Sequence, residues 1–376
     1  MKIIDVTLWT INVPYEMPFQ TSFDRRTGTT RTVLRLTADT GHVGWGETFR
    51  GTPTTNIIER WRDLLIGWNP YDIEKLRARL DMTPFFYGYV GYAALAGIEM
   101  ACYDLIGKET GKSLAELTGG MLKQQIEVTG VVTPGLLPPE AGKPTPETLA
   151  EAAVSFRARY GFGALKLKGS HDPVDDVRRM RALRAALPDV QLRIDPNAVW
   201  SVTESIAAGR ELLPLGLEYL EDPCKGLEGM SRVRETVGIP LCTNMCVVRL
   251  EDFAPAMRLG AVDVIHGDVH KWGGINAVKR LAALCDAFGI GLNLHSGGEL
   301  GISTACHLQL AASTPEIRHA VDTVYYLMAD DIITTPFEIR DGTMRVPTGP
   351  GLGIEVDAEK LAHYAARHAE EGDLVR

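Results

Sequence analysis

Lys166 and Lys168, Asp195, Glu221, Asn244, Asp268 and His295 are the residues of this chain whose types and order suit chemistry. Asp195, Glu221 and Asn244 offer three oxygen donors with no thiolate or imidazole among them. Such a set favours a hard cation, Mg²⁺ ahead of Mn²⁺ or Ca²⁺, with positions left for water and substrate. Because the third donor is a neutral amide, two carboxylates balance the ion, which stays a stronger Lewis acid toward an anionic substrate. Lys166 and Lys168 stand two apart, so on a strand both point to one side. If that side is a protein interior, desolvation and mutual repulsion are expected to lower both pKa values and poise a lysine as a base. Asp268 and His295 suit a carboxylate that orients an imidazole and stabilises its charged form. A lysine on one side of a cation-bound substrate and an Asp-oriented histidine on the other fit proton abstraction next to a carboxylate.

Each residue alone has an ordinary structural reading. An acid or amide after a strand is commonly an N-cap, Asp195 precedes Pro196 and could shape a turn, and a lone K-x-K is commonly a solvated edge. Spacing argues against these readings. From Lys168 onward the steps are 27, 26, 23, 24 and 27 residues, close to one βα unit of a (β/α)₈ barrel of ~250 residues. Each residue also ends a short apolar run: GALKLK, VQLRID, LEYLE, IPLCTN, AVDVIHGD and IGLNLH. The runs predict strands whose carboxyl ends open on one face, where such barrels do their chemistry.

A barrel leaves about a third of the 376 residues for something else. The boundaries expected are an α+β capping domain over residues 1–125, rejoined by 336–376, and a barrel over 126–335. The first part reads as strands (Lys2 to Val13, Arg31 to Thr37, His42 to Glu47) and then helices (Thr55 to Leu65, Ile73 to Leu80, Tyr92 to Lys108, stopped by Gly111). Between the first strands, FQTSFDRRTGTTR reads as a polar loop with the composition of a lid. From Ile126 strand and helix alternate, with Thr145-Pro146 and Asp172-Pro173 as helix starts, Ser201 to Glu204 as a capping box, and Gly161 and Gly289 as stops.

Composition is that of an ordinary soluble protein, 45% apolar and 23% charged. A net charge of -9 without a basic block argues for no nucleic acid and no membrane as partner. Six scattered cysteines without a C-x-x-C pair suit buried thiols in a reducing compartment. The start MKIIDVTLWT alternates like a strand rather than a signal peptide, and no stretch is read as reaching the ~18 apolar residues of a membrane span, so a cytoplasmic location is expected.

The pattern K-x-K, Asp, Glu, a third oxygen ligand, then Asp and His resembles the mandelate racemase branch of the enolase superfamily. The muconate cycloisomerase branch fits less well, since it carries a lysine where Asp268 stands, and Lys271 is offset and reads as a bystander. LEYLEDPC, TNMCV, GDVHKW, AVDT, PFEI and PGLGIEVD more narrowly resemble glucarate dehydratase and related acid-sugar dehydratases, which also use an Asn as third ligand. The resemblance covers essentially the whole chain and is strongest from about Gly161 to Val356.

It implies a (β/α)₇β barrel under the capping domain, and Mg²⁺-assisted abstraction of the proton α to a carboxylate followed by loss of the β-hydroxyl as water. By that mapping Lys168 is a base, Lys166 stabilises the enediolate, and His295 with Asp268 is the opposite base or the acid for the departing hydroxide. Asn197 would contact substrate or lysine. The lid near Thr21 to Arg31 departs from the family pattern, as does HSGGELG after His295, where the family has asparagine and histidine side chains. Thr21, Arg31, Arg50, Thr129 and Ser296 are therefore read as candidate substrate contacts. The expectation is a Mg²⁺-dependent acid-sugar dehydratase, with glucarate or a related diacid as leading small-molecule partner, assembled as a homo-oligomer. The alternatives are a racemase or epimerase built on the same residues, a catalytically silent sugar-acid binder, and a metal-dependent hydrolase, which the scarcity of histidine ligands disfavours.

Overall fold

The structure, a computed structural model, describes residues 1–80, 88–137 and 144–374. Three strands, β1 (Ile3–Gln20), β2 (Arg25–Ala38) and β3 (Val43–Phe49), form an antiparallel meander. The strands run further than their alternation suggests. The segment expected as a loop is mostly ladder, with Phe19 opposite Arg26 and Gln20 opposite Arg25. Only Thr21 to Asp24 turn, closed by Thr21 N–H on the Asp24 carbonyl at 2.9 Å. The tip of this hairpin lies on the second domain, where the Ser22 hydroxyl donates to the carbonyls of Gly169 (2.9 Å) and Pro196 (2.8 Å).

Helices Thr52–Leu65, Ile73–Leu80 and Tyr89–Thr110 follow. The last, of 22 residues, is long and apolar enough to cross a membrane, contrary to the expectation from sequence. Its burial explains the composition: it lies so close on β3 that a Cβ at Gly46 would sit 2.1 Å from the Gly97 carbonyl oxygen, and one at Gly44 2.2 Å from that of Ala101. The Thr48 hydroxyl and the Trp45 N–H bond the helix from the sheet, at 2.8 Å each.

The barrel follows. Its strands are β4 (Gln125–Val132), β5 (Ala164–Lys168), β6 (Gln191–Asp195), β7 (Tyr219–Glu221), β8 (Leu241–Thr243), β9 (Val264–Gly267), β10 (Gly291–Leu294) and β11 (Val321–Asp322). Neighbours from β4 to β10 pair in parallel, and β11 pairs back onto β4 through Val321 and Val128. A helix of ten to fifteen residues stands between each pair of successive strands, which gives the (β/α)₇β arrangement among the described residues. The caps fall where the sequence placed them. Asp172 accepts from Val174 and Asp175 N–H, Ser201 and Glu204 form a capping box, and Gly161 and Gly289 end their helices at positive φ.

The stretch from residue 336 divides between the domains. The hairpin of β12 (Ile339–Arg340) and β13 (Thr343–Arg345) pairs antiparallel with β4. The helix Ala358–Glu371 returns to the meander, where Asn12 Nδ2 donates to the Gly372 carbonyl at 2.8 Å. The tail then bonds Thr30 through Leu374 N–H.

Candidate active site

Strand geometry brings the chemical residues together at one face of the barrel. Lys168, Asp195 and Glu221 are the last residues of β5, β6 and β7, while Asn244, Asp268 and His295 follow β8, β9 and β10 directly. Lys166, Lys168, Asn197, Asn244, Asp268 and His295 line one cavity of about 420 Å³, roofed by Phe19, Thr21 and Phe49 of the meander. Asp195 and Glu221 lie at its base, fully buried.

Buried charges there are paired. Lys168 bonds the Asp195 carboxylate; Lys166 bonds Glu221 at 2.9 Å and also Asp322, at the end of β11. Burial alone would lower Lys166, as the sequence reading expected. Asp322 and Glu221 outweigh it and push the ammonium above the ordinary lysine range. Lys166 is therefore a fixed cation, not a base. Glu221 shows the converse: burial would raise it, but His266 and Lys166 bring it down to about 2. Asp322 was not singled out from the sequence. It also holds Arg193, two residues before Asp195 on β6.

His295 Nδ1 donates to Asp268 Oδ2 at 2.8 Å. Asp268 Oδ1 accepts from the N–H groups of His270 (2.8 Å) and Lys271 (3.2 Å), which fixes the carboxylate. Burial would raise Asp268, yet the bond to His295 and the charge on that ring hold it well below the usual carboxylate range. Burial and the positive Lys271 depress His295 below its ordinary 6.5, against the pull of Asp268. The ring is thus neutral at pH 7, with Nδ1 committed as donor and Nε2 left to receive a proton. A rate step that needs neutral His295 then loses activity only as pH falls below 6.5. Asp268→Asn removes the raising influence, so the acid limb of kcat/KM should move to still lower pH while kcat drops. A limb that stays in place would separate the two residues.

The donor set fits a hard cation. Asp195 and Glu221 carboxylates end neighbouring strands, and the Asn244 side-chain amide touches Glu221 through its Nδ2, so turning that amide would add a third oxygen. Cys242 and His266 also lie near Glu221, with ligand atoms of the three within 4.8 Å of one another. Burial holds that thiol well above its ordinary range, which makes it a poor ligand beside the oxygen set. Asn197 takes a left-handed φ of 57°, followed by Ala198 at 59°. Its Nδ2 donates to Asp195 at 2.9 Å, while its Oδ1 is buried without a partner. Strain of ~1–3 kcal/mol per such residue and an unmatched acceptor are commonly retained at sites that work on a ligand.

The five candidate substrate contacts divide. Thr21 and Ser296 line the cavity, each hydroxyl donating to a carboxylate, of Asp24 (2.7 Å) and Glu299 (2.6 Å). Arg50, at a left-handed φ of 77°, stands at the mouth and makes no ion pair among the described residues. Arg31 is not at the cavity. Fully buried, it bonds Glu47 at 2.6 Å and meets His270 and Ser303, tying meander to barrel. Thr129 lies beneath the floor, bonded to the Ala320 carbonyl and by Arg193. Arg26 and Lys271, by contrast, line the cavity.

Two family models match: Mandelate racemase / muconate lactonizing enzyme, N-terminal domain, over residues 3–119, and Enolase C-terminal domain-like, over residues 148–360. A probable glucarate dehydratase of Streptomyces coelicolor is 31% identical over 93% of this chain and 87% of its own. A crystal structure of an enolase described as a putative sugar isomerase, also from Streptomyces coelicolor, superposes with a TM-score of 0.96 at 53% identity over 100% of both chains. An enolase of Thermobispora bispora, crystallised with magnesium and formate, gives a TM-score of 0.90 at 32% identity over 99% of this chain and 94% of its own. Other relatives of similar identity are a cycloisomerase, a racemase and an epimerase.

Proposed function

Since the chain belongs to the mandelate racemase branch of the enolase superfamily, we propose that it is a Mg²⁺-dependent acid-sugar dehydratase acting on glucarate or a related diacid. The observation that carries this is the neutral, Asp268-held His295 across one cavity from the fixed cation Lys166. Asp195, Glu221 and Asn244 would hold the cation. Bound there, Mg²⁺ supplies Lewis-acid polarisation of the substrate carboxylate.

The remaining steps belong to the chain. His295, neutral and held by Asp268, takes the α-proton on Nε2, with Lys168 as the opposite acid–base group, and the electron pair passes into the carboxylate as an enediolate. Lys166 faces that developing charge with an ammonium that burial among carboxylates keeps protonated. Return of the pair expels the β-hydroxyl, which leaves as water with a proton from the imidazolium of His295. The enol product then takes a proton from solvent at the β-carbon to become a 2-keto-3-deoxy acid. Asn197 contributes its unmatched Oδ1 toward Lys168 or a substrate hydroxyl.

A diacid is favoured because Arg50 stands at the mouth without a carboxylate partner. Arg50 is exposed, and an ion pair at such a position contributes about 0.2–1 kcal/mol, so Arg50→Ala should raise KM for the diacid by up to about five-fold. Monoacids should be unaffected. The same two bases also serve a racemase or epimerase, and the similarity to a putative sugar isomerase favours keeping that second reading. A screen of purified protein with Mg²⁺ against mono- and diacid sugars, detecting 2-keto products as semicarbazones, tests the proposal. Keto product from a diacid supports it; silence across the library with solvent deuterium entering one of the acids supports the second reading.

A further inference from the structure

Lys271 is the third ammonium group in the cavity and differs from the other two in its partners. Lys166 and Lys168 each pair with a carboxylate. Among the described residues, Lys271 Nζ bonds only Asn244, at 3.2 Å to its carbonyl and 3.0 Å to its Oδ1. It projects from the single turn Val269–Trp272 that follows Asp268, so its backbone is fixed by the same carboxylate that holds His295.

The side-chain amide of Asn244 now has its nitrogen on Glu221 and its oxygen on Lys271. A cation held by Asp195, Glu221 and Asn244 needs that oxygen on the Glu221 side. Turning the amide brings its NH₂ toward the ammonium, donor against donor. That leaves the ammonium with the Asn244 backbone carbonyl alone and no anionic partner, which is unfavourable in the cavity, and a substrate oxygen can supply the second, charged acceptor. We infer that Lys271 is a substrate-binding residue, released from the Asn244 side chain when that amide oxygen ligates the cation and contacting an anionic oxygen of the bound acid. This rests on the acid-sugar reading above and adds to it a specificity residue on the Asn244 side of the cavity.

Tartronate is a suitable probe, a hydroxydicarboxylate with no β-hydroxyl to lose. Its binding is measured calorimetrically with and without Mg²⁺ in the parent protein, Lys271→Met and Lys271→Arg, together with Mg²⁺ affinity. With Mg²⁺, Lys271→Met should weaken tartronate about ten-fold or more, the range of a charged hydrogen bond, and Lys271→Arg should recover part of the loss. Without Mg²⁺ the variants should match the parent, and Mg²⁺ affinity of Lys271→Met should be equal or tighter. Undiminished tartronate binding by Mg²⁺-loaded Lys271→Met overturns the inference and leaves the acid-binding reading standing, as does a loss of Mg²⁺ affinity alone. A parent protein that binds no tartronate with Mg²⁺ present counts against both.

Discussion

His295→Asn is expected to lower kcat by about 10²–10⁴-fold, the range a positioned acid–base group supplies, with the fold intact. The chemistry depends on Nε2, the ring nitrogen not committed to Asp268, in a side chain 14% exposed at the cavity. The fold depends on it little. Asp268 keeps two backbone donors on Oδ1, and an asparagine amide replaces a ring at the edge of the cavity rather than in the packed core. Steady-state turnover on the acid identified by the screen, beside thermal unfolding in Mg²⁺, separates the two effects. A kcat within a few-fold of the parent would reduce His295 to a structural partner of Asp268.

Glu221→Gln is the second large effect, and it acts on the metal and on Lys166 together. The carboxylate bonds Lys166 at 2.9 Å and accepts from Asn244, so its charge holds both the cation site and the ammonium. Partners that merely orient a metal ligand change affinity about 10–100-fold. Loss of a charged ligand should exceed that, with turnover lost at ordinary Mg²⁺ concentrations. Chelation should abolish turnover of the parent protein, and added Mg²⁺ should restore it. Equilibrium dialysis of Mg²⁺ against parent and variant measures the affinities. Equal affinities would remove Glu221 from the ligand set.

Much of this site was legible in the sequence because a (β/α)₈ barrel turns chain spacing into position. Residues one βα unit apart at the ends of apolar runs had to meet, and Lys166 through His295 do surround one face. Asp322 obeys the same rule at 27 residues beyond His295. Its strand is only Val321–Asp322, too short to show as an apolar run. Arg193 stands two before Asp195, as Lys166 stands two before Lys168, and the same alternation would have turned it inward.

Charge was harder to read than position. The two lysines suggested mutual repulsion, but the carboxylates that overrule it for Lys166 come from β7 and β11, distant in sequence. Arg31 and Thr129 show the same limit. A cationic or hydroxyl residue in a strand looks available for substrate until Glu47 of the neighbouring strand, or the Ala320 carbonyl, is seen to claim it. Lys271 was dismissed for its offset from the strand end. A four-residue helical turn carries it back into the cavity.

Turnover of the acid found by the screen, run in D₂O with Mg²⁺ and followed by proton NMR, tests the dehydratase reading most directly. The account predicts a 2-keto-3-deoxy product carrying one solvent deuterium at the β-carbon, formed by the parent protein and not by His295→Asn. Deuterium at the α-carbon of a recovered or inverted acid, with no keto product, would contradict dehydration and establish a racemase or epimerase.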